Sequence, residues 1–421
     1  MIKGLFDFIK SSPTAYQTVG TVEKRLQSEG YVRLYEDEEF KIKEGGKYYV
    51  VRNGTSLIAF RIPKSPAGFM ISATHSDSPA FRLKATEEKV GTYTRLDVER
   101  YGGMIYYSWL DRPLSVAGRV LVDSGDGVKS VPVNLDCDLV TIPSVAIHLN
   151  RSVNDGYKFN PATDLLPIYR LGDGEHLIET IAKEIGVKRE QIISHDLFLY
   201  NREEPRLIGY QSEMILSPRL DDLECVYASV LGFLNSADTV SVPVLAIFDN
   251  EEVGSATKQG ADSDFLEATL KKIAGQNYYT MLENSFMVSA DNAHACHPNH
   301  PELSDAQNAP TLGGGVVIKF NASQRYATDG LSAAVFTKIC KGAGVKLQNY
   351  YNRADIAGGG TLGSIADTRV SVPTVDIGLS QLAMHSACET ASTADVCEMV
   401  KALTAFYSAS LCRHGEVIEI K

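Results

Sequence analysis

The chain has 421 residues, of which 44% are hydrophobic and 22% charged, and its formal net charge is −11. That acidity argues against a general nucleic-acid or anionic-membrane surface, and no apolar run approaches the roughly 20 residues that span a bilayer. The length exceeds one ordinary hydrophobic core, so two domains are expected.

At the N-terminus, Asp7 and Lys10 interrupt an apolar stretch and no small-residue cleavage site follows. The segment therefore reads as part of the fold rather than as a signal peptide, and the protein as cytoplasmic. Ser12 and Pro13 have the character of an N-cap and a first helical position, with Gly30 closing the helix they open. Gly68 to Ala73 is an apolar strand that ends at Thr74-His75. From about residue 88 the texture changes to short β-like runs, Tyr93 to Val98, Gly118 to Val122 and Ser130 to Leu135, separated by turn signals such as Ser124-Gly125-Asp126-Gly127. The reading is a β-rich insert over residues 88–215, which splits an α/β domain into 1–87 and 216–421.

In the second part, Leu223, Val226, Tyr227, Val230 and Leu231 fall on one helical face. Val242 to Phe248 is a short apolar run that suits a strand covered on both faces, as do Met287 to Ala290 and Val372 to Ile377. This is the pattern of an α/β domain with a mixed or parallel sheet. The seven cysteines are odd in number and none is spaced C-x-x-C, which argues against a disulfide framework or a thiolate zinc site.

The chemistry gathers after these strands. Asp249-Asn250-Glu251-Glu252-Val253-Gly254 puts two adjacent carboxylates on a turn, where one can bind a metal while the other serves as a base. His75, Asp221, Glu252, Asp291 and His385 all sit at or near element ends. Two imidazoles and three carboxylates suit zinc, manganese or cobalt. Three carboxylates and one hydroxide balance two divalent ions, so the count favours a pair of metals over one. Taken singly, each residue has a plain alternative: a buried hydrogen-bonded histidine for His75, a helix N-cap for Asp221, a turn cap for Asp291, a surface loop for His385. Asp77 either supports His75 from two residues away or forms an Asx-turn before Pro79. His294, His297 and His300 are spaced by three, but Pro298 and Asn299 break a helix there, so a turn beneath the site is expected. Gly358 to Gly363 matches G-x-G-x-x-G without a preceding strand, which excludes a dinucleotide fold and leaves a tight loop.

Together the stretches Ser12-Pro13-Thr14, Thr74-His75-Ser76-Asp77-Ser78-Pro79, Ile147-His148-Leu149, Pro218-Arg219-Leu220-Asp221, Asp249-Asn250-Glu251-Glu252-Val253-Gly254-Ser255, Ser289-Ala290-Asp291, Gln324-Arg325-Tyr326-Ala327-Thr328 and Gln381-Leu382-Ala383-Met384-His385-Ser386 resemble, in order, the aspartyl aminopeptidase family of two-zinc metallopeptidases. The resemblance implies an α/β, mixed-sheet phosphorylase/hydrolase-like catalytic domain with an inserted β-rich dimerisation domain. It implies that Asp221 bridges two metals, that Glu252 and His385 complete one site, and that His75 and Asp291 complete the other. Glu251 becomes the general base or acid, and His148 a group that reaches a neighbouring subunit's active site; Asp77, placed to support His75 or the metal site, is carried as a catalytic candidate on its position alone. Lys319 and Tyr326 match substrate contacts. The family removes N-terminal Asp or Glu from peptides and assembles from dimers into a dodecamer. The sequence departs from the family at Gln17, where histidine is frequent, and at Ala387-Cys388-Glu389, where an arginine is expected. An acidic preference then depends on a local cation, Lys319. The rivals are an amidase for N-acyl amino acids and a metal-stabilised scaffold without turnover.

Overall fold

The computed structural model describes residues 1–421. Its largest element is a nine-stranded mixed sheet. In spatial order the strands are Val32–Leu34, Lys47–Arg52, Ser56–Arg61, Ser241–Phe248, Gly68–His75, Phe286–Ala290, Thr374–Gly378, Val316–Phe320 and Leu347–Tyr351. The four central strands, Ser241–Phe248 to Thr374–Gly378, run parallel to one another. Their neighbours Ser56–Arg61 and Val316–Phe320 pair with them antiparallel.

Alternation along the central strands explains why they read as continuous apolar runs. Leu245, Ile247, Met70 and Val288 face a core of 44 buried residues on one side. Val244, Ala246, Ile71 and Met287 face a second core of 24 on the other. Both faces are therefore covered, and the strands are mostly apolar, with only small buried polar residues such as Ser72 and Ser289 among them. The helix Leu220–Asn235 is buried almost all round rather than along the single stripe its spacing implies, because the helix Thr393–Tyr407 covers its outer side. The contact is close: a Cβ on Gly232 would lie 2.7 Å from Leu403 Cβ.

The N-terminal residues form the helix Ile2–Lys10, which buries Leu5 and Ile9. The next helix starts at Ala15, not at Pro13. Thr14 is the extended N-cap, and its hydroxyl meets the Gln17 side chain three residues on. Gln17 Nε2 donates to the carbonyls of Gly118 and Val133, both at 2.9 Å. The residue that replaces the family's frequent histidine thus ties this helix to the second sheet.

That second sheet has six strands, all from residues 80 to 201, with Leu114–Asp123, Ile192–Asn201 and Ala80–Val90 at its centre. A separate core of 21 buried residues lies on it, shared with the helix Leu177–Ile185. All seven cysteines are unpaired. No helix is long and apolar enough to cross a membrane.

Candidate active site

Three adjacent parallel strands deliver their last residues to one edge of the large sheet. His75 ends Gly68–His75 and lies in register with Phe248, the last residue of Ser241–Phe248. The chain then turns, and a single helical turn presents Glu251 and Glu252. Asp291 follows the third strand, Phe286–Ala290, and its N–H donates to the Ile377 carbonyl at 3.0 Å. The strand pairing that builds the sheet thereby fixes the spacing of three candidate ligands. Catalytic residues in open α/β sheets commonly collect at such carboxyl ends.

Two further segments close over this edge. Asp221 stands at the start of Leu220–Asn235 and is 2% exposed. His385 lies in the loop before the strand Glu389–Ser392. Glu389 locks the two together: Oε2 accepts the Asp221 N–H at 3.1 Å and Oε1 accepts the His385 N–H at 2.8 Å. Asp221 then points one oxygen at each imidazole, with Oδ1 3.6 Å from His75 Nε2 and Oδ2 3.5 Å from His385 Nε2. Asp291 Oδ1 is 3.9 Å from His75 Nε2, and Glu252 Oε2 is 3.4 Å from His385 Nε2. Both imidazoles turn Nδ1 toward a backbone carbonyl, Asp77 at 3.1 Å and Gly103 at 2.9 Å. That contact orients the ring and leaves Nε2 to face the carboxylates.

These separations are too long for hydrogen bonds and suit an intervening cation. Asp221 Oδ1, Asp222 Oδ1 and Glu252 Oε1 are buried with no hydrogen-bond partner. A buried oxygen left so is costly unless a ligand satisfies it. The ligating atoms of His75, Asp221, Asp222 and Asp291 lie within 4.8 Å of one another, as do those of Asp221, Glu252 and His385. The donor set and its unsatisfied oxygens therefore fit divalent metal.

The electrostatics point the same way. Burial raises the Glu251 carboxyl to about 8, with Asp291, Asp77 and Asp221 adding to the rise and His75 opposing it. Burial also pushes Glu252 well above the carboxylate range. For His385 burial opposes protonation, but Asp221 and Glu252 outweigh it and lift the imidazole to about 10. His75 is raised for the same kind of reason: burial works against its charge, and Asp222, Asp221, Asp291 and Asp77 overcome it.

Asp77 lies beside His75, its Oδ1 3.4 Å from Nδ1, and braces the Glu251-Glu252 turn. Oδ1 accepts the Glu251 N–H and Oδ2 the Glu252 N–H, each at 3.2 Å, while Tyr101 donates to Oδ2 at 2.6 Å. Lys319 is 1% exposed. Its ammonium donates to the carbonyls of Asp291 at 2.7 Å and Asn292 at 3.1 Å and lies 3.6 Å from Asp291 Oδ2. Tyr326 is buried beside it, its ring centroid 5.3 Å from Nζ. His148 is not brought to the cluster within one chain. It is exposed on a turn after the strand Val128–Asn134, among exposed Val145, Ile147 and Leu149. His294 pairs in a two-residue strand with Ser380-Gln381, and His297 and His300 face each other on the following turn rather than joining the cluster.

Asp222 and Glu389 are functional candidates the sequence did not single out. Asp222 is adjacent to Asp221, and adjacency was its only signal. Glu389 carries no local signal, because its partners are backbone amides on two other segments.

The family model for aminopeptidase I zinc metalloproteases (M18) matches residues 8–407. The chain belongs to the M18 family. An M18 family aminopeptidase 2 assigned as probable in Clostridium acetobutylicum is 41% identical over 424 residues, covering 96% of this chain and 98% of that one. A relative of the same description in Pseudomonas aeruginosa is 38% identical over 421 residues, covering 97% and 98%. Among solved structures, Ape4 in its complex with Nbr1 superposes with a TM-score of 0.93 at 35% identity, covering 96% of this chain and 85% of that one. The S. cerevesiae mApe1 dodecamer gives 0.85 at 26% identity, covering 96% and 95%. The M18 chain is thus an aminopeptidase, a hydrolase acting on peptides from a zinc metalloprotease family, with the mixed α/β fold of that family.

Proposed function

We propose that this M18 chain removes the N-terminal residue of peptides, Asp or Glu by preference, using two divalent ions, with zinc as the resident metal and manganese or cobalt as substitutes. The observation that carries the reading is Asp221, whose two oxygens face two different imidazoles. His75, Asp291 and Asp221 would hold one ion, and Glu252, His385 and Asp221 the other. Bound there, the ions supply Lewis acidity and bring a water near them into the neutral pKa range.

The chain's own residues do the rest. Glu251 accepts the proton of the attacking water and returns it to the leaving amine. Burial and the neighbouring carboxylates raise its carboxyl, which fits a group that takes up and releases a proton. Asp77 keeps that base in place by bonding both backbone amides of the turn. Lys319 provides the positive charge for an acidic first residue, whose carboxylate competes with the Asp291 and Asn292 carbonyls for the ammonium; Tyr326 walls the same corner.

Residues 88–215 form the inserted oligomerisation domain in this reading, supported by the separate sheet and core of that region. The strand that starts at Ala80 favours an insert beginning a few residues earlier than 88. Assembly into a dodecamer of dimers draws support from the mApe1 dodecamer and from the exposed apolar run around His148. There His148 donates to the developing oxyanion in a neighbouring subunit. The protein acts in the cytoplasm on peptide substrates, with no nucleic-acid or membrane partner.

Glu251→Gln tests the assignment. Purified with unchanged metal content, it should lose about 10²–10⁴-fold in kcat, the usual worth of a positioned acid–base group. Wild-type turnover with full metal would overturn the role of Glu251.

A further inference from the structure

The resemblance gives Asp222 no role, yet it is fully buried at the ligand cluster. Its Oδ2 accepts the main-chain N–H of His75 at 3.3 Å, and its Oδ1 has no partner. No lysine or arginine reaches it; the one buried ammonium nearby, Lys319, pairs with Asp291. Asp222 belongs to the group formed by His75, Asp221 and Asp291, and not to the group formed by Asp221, Glu252 and His385. The first group thus offers one imidazole and three carboxylates, the second one imidazole and two carboxylates. Oxygen-rich sets favour hard ions such as Mn²⁺, and a larger nitrogen share favours zinc.

Resting on the two-ion reading, we propose that Asp222 lends a carboxylate to the His75 position and makes the two metal positions unequal. The His75 position accepts an oxygen-preferring divalent ion of the Mn²⁺ type, while the His385 position favours zinc. Asp222→Asn is nearly isosteric and can still accept the His75 N–H, so it removes the charge and keeps the contact.

The test titrates the full-length oligomer, stripped of metal, with Mn²⁺ followed by electron paramagnetic resonance, and with Zn²⁺ against a chromophoric chelator. In Asp222→Asn the Mn²⁺ affinity of one position should fall by about 10–100-fold, a typical loss for a partner of a metal ligand, with the other unchanged. The zinc affinity of the weakened position should fall less than that for manganese. Unchanged Mn²⁺ binding at both positions overturns the proposal. So does a parallel loss at both positions with a lowered melting temperature, which would make Asp222 a folding residue only. Wild-type protein that binds fewer than two ions overturns the two-ion reading beneath it.

Discussion

Two regions of this molecule enclose carboxylates in opposite ways. In the six-stranded sheet, Asp196 receives Arg82 at 2.8 Å, Arg119 at 2.9 Å and the Tyr16 hydroxyl at 3.1 Å. Burial works against its charge, but Arg119, Tyr16 and Arg82 outweigh it and hold the carboxyl below its ordinary range. At the edge of the nine-stranded sheet, Asp222 and Glu252 keep buried oxygens without donors, and burial drives both carboxyls up. The first arrangement is complete within the protein and joins the second sheet to the helix carrying Tyr16. The second is incomplete until cations arrive. Charged residues alone therefore do not mark a site; donorless carboxylate oxygens gathered beside imidazoles do, whereas Glu224, equally buried and donorless, lies outside the cluster.

The contrast predicts opposite consequences for the same substitution. Asp221→Asn should have the largest effect, removing both ions and reducing peptide hydrolysis to background, with metal content measured by mass spectrometry. Retention of two ions would break the contrast. Asp196→Asn should leave kcat and metal content unchanged while lowering stability to denaturant by about 1–3 kcal/mol, less than a fully buried ion pair because Arg82 is half exposed. The smallest effect is its pH dependence. A depressed folded pKa contributes stability above the unfolded value of about 3.9, and that contribution is lost as pH falls through the folded value. Asp196→Asn should therefore narrow its stability gap to wild type only below about pH 4, read by denaturant titration across acid pH.

Most of the scaffold was legible in the sequence because it obeys strong local rules. Gly68 to Ala73, Val242 to Phe248 and Met287 to Ala290 are apolar but for the buried Ser72 and Ser289 because both faces of the central sheet are covered, and a candidate ligand follows each within a few residues. His75, Glu252 and Asp291 were nameable for that reason, whereas Asp221, at a helix start, and His385, in a loop, follow no such strand. What the sequence concealed depends on contacts between distant segments. Pro13 lies before the helix it seemed to open, since Thr14 is extended and Gln17 reaches the second sheet. Glu389 aligns Asp221 with His385 through backbone amides that leave no trace in residue spacing. Nothing in the sequence showed that the Lys319 ammonium is held by the Asp291 and Asn292 carbonyls. Adjacency to Asp221 was the only sign of Asp222's place in the cluster, and an acidic residue next to a helix start ordinarily caps it.

The central claim is that side chains remote in sequence converge to hold two cations around one carboxylate. Anomalous scattering at the zinc absorption edge, from crystals of the metal-loaded protein, tests this directly. Two peaks on either side of the Asp221 carboxylate, one facing His75 and Asp291 and the other facing Glu252 and His385, are the predicted result. A single peak, or peaks bound elsewhere on the chain, would contradict it.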